Sequence, residues 1–367
     1  MERTTLRAIA LLFIALFFMA ILCVGLLFVL AGDDIIDFVR IAPARLNVFL
    51  NKDELEQPIG VDTTPTRFVI ELGDSPARIA NNLFLDDLID DTELFVDYVR
   101  AESLDTQLEA GVFFLNQSQS MIEIAQALTD SSISQITFQI LPGWRIEQAA
   151  EAIDVNPLFG FSGAEFLIVV GQGAEIPISF ANEMIIPAGQ SLEGFLFPDT
   201  YSLPPTITSI ELRNLLLESF RSAIGDDLLL SATQQGFTMY EIVTLASIIQ
   251  REAVQRDEEP MISSVYNNRL QAGMRLDADP TVQYPLGSAE NWWPRITVAD
   301  YQGVISDYNT YRRIGLPPGP ITNPSLSAIR AAIFPEVSNF FYFRADCRSD
   351  GYHDFAVTYE AHLANGC

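Results

Sequence analysis

Basic residues, histidine and cysteine are all scarce in this sequence. Of 367 residues only 21 are Lys or Arg, against 48 Asp or Glu, giving a formal charge of −27. A general nucleic-acid binder needs a clustered positive field to neutralise phosphates, so that class is excluded. The two histidines are His353 and His362. They cannot build a three-His metal site, and a Ser-His-Asp triad would have to recruit one of them. The three cysteines, Cys23, Cys347 and Cys367, contain no C-x-x-C spacing, which leaves a zinc or dithiol motif unsupported. Cys347 and Cys367 are positioned to pair if the C-terminal region lies outside the cytoplasm. The acids between Asp86 and Asp97 lack the Gly and terminal Glu of an EF-hand and read as a solvated helix face. No cofactor is expected. What the chain does have is apolar sequence: 49% of residues, with only 19% charged, which rules out a wholly disordered chain.

Residues 8–31 form a run of 24 without a charge. As a helix rising ~1.5 Å per residue it would reach about 36 Å, enough for a ~30 Å hydrocarbon core. Arg3 and Arg7 precede it, and Asp33 and Asp34 follow. The positive-inside bias then places residues 1–7 in the cytoplasm and the rest beyond the membrane. A cleaved signal peptide is the alternative, but its apolar core is only ~7–15 residues. Leu22 before Cys23 is also too bulky for a lipoprotein site. A single-pass anchor in the cell (inner) membrane over 8–31 is the expectation.

Residues 32–66 read as a stalk, because Pro58 and the run from Thr63 to Thr66 break any long helical pattern. Three blocks then repeat a strand, a polar turn and an amphipathic helix: residues 68–83, 112–128 and 136–153. Ser75 and Pro76 predict an N-cap and a first helical turn. Further on, residues 210–224 and 239–255 read as amphipathic helices, with a break at residues 225–227. Residues 325–334 and 359–363 read as helices and 340–343 as a strand. The class is α+β. Residues 192–201 (LEGFLFPDTY) set Glu193 among aromatics, a composition that suits a sugar groove or an ordinary domain seam.

One acid sits where an acid is unexpected. In the helix predicted from Met239 onward, Ile242, Leu245, Ala246 and Ile249 form an apolar stripe, and Glu252 falls on that stripe by its spacing from Leu245, Ile248 and Ile249. Desolvation disfavours a carboxylate there and raises its pKa, as a general acid near neutral pH requires. The alternative is an edge-of-core carboxylate paired with Arg256 or Arg269.

Several ordered motifs carry a resemblance. Residues 245–252 (LASIIQRE), 268–270 (NRL), 274–276 (MRL), 279–284 (DPTVQY), 308–311 (YNTY) and 315–321 (GLPPGPI) are similar to the YceG-like (MltG-type) endolytic murein transglycosylases. So are residues 192–201 upstream, and FYF, HDF and EAH at 341–343, 353–355 and 360–362 downstream. The resemblance covers about residues 67–363. It implies a transmembrane helix (8–31) after a cytoplasmic stub (1–7), then the stalk (32–66), a small LysM-like α+β module (67–135) and a mixed α+β catalytic transglycosylase domain (136–367). It implies cleavage of the MurNAc–GlcNAc β-1,4 bond within peptidoglycan strands, leaving 1,6-anhydroMurNAc ends and terminating nascent strand elongation. Its catalytic glutamate falls on Glu252. Glu193, Arg269, Asp279, Thr281, Gln283, Tyr284 and Asn309 are the substrate-groove candidates. Peptidoglycan strands and the membrane are the implied partners, with room for cell-wall synthases. Gln250 departs from the family, which often has an acid there. A hydrolytic muramidase using Glu252 with Asp279 or Glu193, or a non-catalytic wall-binding scaffold, stands as the alternative.

Overall fold

The computed structural model describes residue 19 and residues 32–131 and 135–366. The expected span therefore lies outside the described residues except for Met19, as do Cys23 and Cys367. Among the described residues no helix is long and apolar enough to cross a membrane. Cys347 is disulfide-bonded. The chain divides into two compact units, Met1–Ser134 and Gln135–Cys367.

In the first unit, α1 (Gly32–Leu50) and α2 (Lys52–Glu56) lead into β1 (Thr66–Ile70), α3 (Pro76–Leu85), α4 (Thr92–Ala101), β2 (Gly111–Leu115) and α5 (Met121–Ala127). β1 and β2 pair antiparallel, from Thr66 opposite Leu115 to Ile70 opposite Gly111. Alternation turns Phe68 and Ile70 inward and leaves Val69 exposed, as a two-faced strand requires. Phe68 and Phe113 meet Leu83, Phe95 and Ile124 in one core. Local chemistry sets the helix starts. Ser75 accepts from the Arg78 N–H with Pro76 at the first helical position, and Ser120 with Glu123 closes a capping box. Asp91 caps α4.

The segment expected as a stalk is largely helical. Ala44 and Leu55 are buried, and Asn47 Nδ2 donates to Asp97 Oδ2 at 2.8 Å, tying α1 to α4. The helix breakers act only where they stand, from Gln57 to Pro65. Upstream of them the spacing of Ala44, Val48 and Leu55 supplies a face to bury, and Pro43 is accommodated inside α1.

The second unit begins with β3 (Ile136–Gln139), α6 (Ile146–Asp154), α7 (Gly163–Val170), α8 (Ile178–Met184) and β4 (Thr200–Leu203). It continues with α9 (Ser209–Gln234), α10 (Met239–Glu252), α11 (Glu259–Gln271), α12 (Asp279–Gln283), α13 (Val298–Gly303) and α14 (Leu326–Ile333), and ends with β5 (Tyr342–Ala345), β6 (His353–Ala356) and α15 (Tyr359–Ala364). β3 pairs with β4 and β5 with β6, both antiparallel. Gly225, at φ 59° and ψ 179°, breaks α9 at the expected place.

The helix that carries Glu252 differs from the amphipathic expectation. Every residue from Ile242 to Ile249 is buried, so α10 is a central helix packed on all sides rather than one with a single apolar stripe. Its internal hydroxyls are satisfied locally: Thr244 Oγ1 donates to Tyr240 O at 2.8 Å and Ser247 Oγ to Thr244 O at 2.7 Å. Gly194 (φ +89°) passes directly over this helix. A Cβ there would lie 2.7 Å from Val243 and 2.6 Å from Pro320, so only glycine fits.

Candidate active site

The last three residues of α10 leave the core in three directions. Gln250 Oε1 accepts from the Ser325 N–H at 2.8 Å, at the head of α14. The Arg251 guanidinium lies 4.1 Å from the centroid of the Trp293 ring. Glu252 opens onto a pocket of about 880 Å³. The departure at Gln250 thus belongs to the α10–α14 junction, and its hydrogen bond does not go to Glu252.

α10 and α11 bring Glu252 and Tyr266 together: Tyr266 Oη donates to Glu252 Oε1 at 2.9 Å. No cation lies within ion-pair distance of Glu252 among the described residues, so the paired structural acid foreseen as an alternative is not what forms. Arg269 is used elsewhere, donating from Nε to Phe341 O and from Nη1 to Leu276 O, each at 2.6 Å. Burial pushes the Glu252 carboxyl up from 4.5 to about 7, helped by the Asp279 charge and opposed by the Tyr266 hydrogen bond, Arg269 and Arg251. Its place in the last helical turn, where the backbone dipole is negative, acts in the same direction. A carboxyl poised there can give and take a proton near neutral pH.

The rest of the pocket comes from loops and the C-terminal hairpin. Asp279 accepts from Tyr311 Oη at 2.6 Å, and Tyr311 stacks on Tyr301 with centroids 4.2 Å apart. Tyr342, Phe343 and His353 from β5 and β6, with Tyr359 and His362 from α15, close the far wall. Flat rings beside hydrogen-bonding groups suit a carbohydrate, whose faces are apolar and whose edges are polar.

The predicted groove residues separate into three groups. Arg269 and Asp279 line the pocket with Glu252. Thr281, Gln283 and Asn309 spend their side chains on the loops themselves. Thr281 Oγ1 donates to Ala278 O at 2.6 Å, Gln283 Nε2 to Pro294 O at 3.0 Å, and Asn309 Nδ2 to Val304 O at 2.8 Å. Glu193 and Tyr284 belong to a separate buried cluster. There the Arg145 guanidinium sits 4.1 Å from the Tyr284 ring and 4.8 Å from Trp292, and Glu193 Oε2 accepts from the Ile146 N–H at 3.3 Å. Tyr266 and Tyr301 escaped assignment because a tyrosine in an apolar helix or loop reads as core, and Tyr311 stood in the YNTY motif without being singled out.

Burial, with the Glu147 charge, raises Glu193 from 4.5 to about 8 against the pull of Arg145. Because the folded pKa exceeds the unfolded one, this group's stabilising contribution is complete below 4.5 and is lost as pH climbs through 8. Glu193→Gln removes that loss. Thermal unfolding should show the variant equal to wild type near pH 5 and more stable at pH 9; a variant less stable at pH 9 would show that the ionised form is the one the fold holds.

A second expectation concerns Tyr266. Its hydroxyl stabilises the ionised Glu252, so Tyr266→Phe should raise the Glu252 pKa and move the alkaline limb of the rate profile to higher pH. A limb displaced to lower pH contradicts the role of that bond.

Known proteins share this arrangement of sequence. Residues 68–366 match the sequence model of the YceG-like family. An endolytic murein transglycosylase of Bacillus subtilis is 30% identical over 331 residues, covering 86% of this chain and 88% of that one. One from Streptococcus pneumoniae is 28% identical over 338 residues, covering 85% of this chain, which spans only 60% of the pneumococcal protein. The crystal structure of a YceG-like protein from Listeria monocytogenes superposes with a TM-score of 0.56 at 28% identity, covering 83% of this chain and 99% of that one. A family match running from β1 through the hairpin that walls the pocket places this chain in the YceG-like family.

Proposed function

We propose that this protein is an endolytic murein transglycosylase that cleaves the MurNAc–GlcNAc β-1,4 bond inside peptidoglycan strands and leaves 1,6-anhydroMurNAc ends. The observation that carries the proposal is Glu252: a desolvated carboxyl with no ion pair among the described residues, held by one tyrosine, at the wall of a ring-lined pocket. Its relatives' names agree with it.

The chemistry needs one such group. Ordinary glycosidases use two carboxylates, one as acid and one to activate water or attack the sugar. Here protonated Glu252 donates to the leaving glycosidic oxygen, and the bond from that oxygen to the MurNAc C1 breaks. The resulting carboxylate accepts the proton of the MurNAc C6 hydroxyl as O6 bonds to C1. The proton count closes on Glu252 and no water is consumed. Tyr266 fixes Oε1, which leaves Oε2 without a protein hydrogen bond among the described residues.

The β1–α3–α4–β2 arrangement supports reading residues 67–135 as the LysM-like, glycan-binding module. The uncharged run at 8–31 supports a membrane anchor with the catalytic unit outside. Endolytic cutting close to the membrane would then terminate nascent strands, next to the synthases that make them. Asp279, held by Tyr311 in the same pocket, gives the hydrolytic reading its second carboxylate. Mass spectrometry of uncrosslinked strands after digestion decides between them: anhydro ends carry the proposal, and reducing ends, heavier by one water, support the muramidase.

A further inference from the structure

His353 is built into the pocket wall in a way the single-carboxylate chemistry leaves unexplained. Glu258, in the short 3-10 turn Arg256–Glu258, grips it twice. The His353 N–H donates to Glu258 Oε1 at 3.0 Å, and Nδ1 lies 2.8 Å from Oε2. Both side chains are about nine-tenths buried, with 10% and 9% of their surfaces exposed. The Phe343 ring meets the imidazole edge-on at 5.3 Å, and Tyr266, the partner of Glu252, packs on the other side of that network, 5.7 Å from Phe343. The imidazole therefore cannot turn without breaking the carboxylate bond and its edge-on contact with Phe343.

The tautomer follows from the partner. A carboxylate accepts from Nδ1, and in the neutral ring the lone pair is then on Nε2. That atom has no protein partner among the described residues, and the residue lines the pocket. A carboxylate behind one ring nitrogen also makes the other a better acceptor, as it does for metal-bound histidines. A purely structural link between the turn and β6 would need the backbone bond alone.

We propose that His353 is a substrate-positioning residue: Nε2 accepts a hydrogen bond from a sugar hydroxyl or acetamido N–H of the strand lying across the pocket, and Glu258 holds the ring in register. This rests on the glycan reading above. Because the contact is made to groups that do not react, it is present in both ground and transition states. Its loss should raise KM and leave kcat nearly unchanged.

Two substitutions separate this role from a structural one. In His353→Asn the amide nitrogen can keep the bond to Glu258 but nothing reaches the Nε2 position; His353→Gln places a carbonyl near that position. With full-length protein and uncrosslinked strands, H353N should melt like wild type and show roughly a three- to tenfold higher KM, the effect of one neutral hydrogen bond. H353Q should recover part of it. Full kcat/KM in a folded H353N, or a loss in kcat with KM unchanged, overturns the proposal. A test that needs no His353 variant is also open, because the chain has only two histidines. In ¹⁵N-labelled Glu252→Gln protein titrated with uncrosslinked strands, the His353 Nε2 resonance should move while Nδ1 stays near its position. An unmoved Nε2 at saturating strand refutes the contact whatever the variants do. Wild-type protein that neither binds nor cuts the strands would instead remove the glycan reading itself.

Discussion

Glu252→Gln should lose on the order of 10²–10⁴ in rate, or ~3–5 kcal/mol of transition-state stabilisation, and yet be more stable than wild type above pH 7. The glutamine keeps the shape and can still accept from Tyr266, but has no carboxylic proton to give. The stability gain comes from linkage. Glu252 has a folded pKa of about 7 against an ordinary 4.5, so the folded state binds its proton more tightly than the unfolded chain. The wild type is therefore best off below 4.5 and loses stability as pH rises through 7, by at most about 3 kcal/mol. The amide has nothing to ionise and escapes that loss. Thermal unfolding at pH 5 and pH 8, with product mass from uncrosslinked strands, measures both effects. Wild-type activity in the folded variant eliminates Glu252 as the catalyst. An inactive variant that melts lower than wild type at pH 8 shows an acid the fold needs in its charged form, and removes the desolvated-acid account.

Such opposed effects would mark a residue kept for chemistry rather than stability; spacing alone set Glu252 against apolar residues and left a paired structural acid open, and the catalytic role came from the family resemblance. An acid following Leu245, Ile248 and Ile249 at helical intervals has to meet apolar surroundings. Periodicity did not reveal that α10 is buried on all sides, so that Glu252 is where the helix emerges rather than one position on a stripe. The rest of the pocket was harder to read. Asp279 and Arg269 stand in motifs and do line it, but Thr281, Gln283 and Asn309 stand in the same motifs and hydrogen-bond inward. A dense run of amides and hydroxyls reports the loop geometry that holds a site as much as the site itself. His353 reaches the pocket because β6 pairs with β5, a contact no local pattern announces.

The segment at residues 192–201 teaches the complementary lesson. Glu193 among aromatics suggested a sugar groove or an ordinary domain seam, and the structure packs this segment inside the second unit. Leu192, Phe195 and Leu196 are fully buried, and Phe195 meets Phe180 edge-on at 5.8 Å and Phe220 at 5.1 Å. Composition alone could not distinguish rings that face a ligand from rings that face one another. Turns and caps were read more reliably: Ser75, Pro76 and Gly225 act through their own backbone neighbours, so their effect is written locally. The helix at Gly32–Leu50 was missed for the opposite reason, since its partner is the distant Asp97.

The largest loss of stability from a single polar side chain is expected at Asn323. This residue is fully buried and joins three separate stretches of chain. Its Oδ1 accepts from the N–H groups of Gly194 and Leu196, both at 3.0 Å, and Nδ2 donates to Trp144 O at 3.0 Å. Its backbone exchanges two more bonds with the turn at Gly143 and Trp144, each at 2.8 Å. Gly194 cannot move to find other partners, because it lies against Val243 and Pro320. Asn323→Ala keeps the backbone pair but strands two buried N–H donors, each costing ~1–3 kcal/mol when water cannot reach it. The sum, about 2–6 kcal/mol, is a large share of the ~5–15 kcal/mol that holds a domain together. For a unit of this size it should lower the melting temperature by roughly 10 °C. Asn323 does not line the Glu252 pocket, so the fraction that stays folded at low temperature should cut glycan with unchanged kcat. A shift smaller than about 2 °C would mean that the loop re-pairs its donors, and a fall in kcat of the folded fraction would mean that this packing sets the geometry of Glu252 through α10.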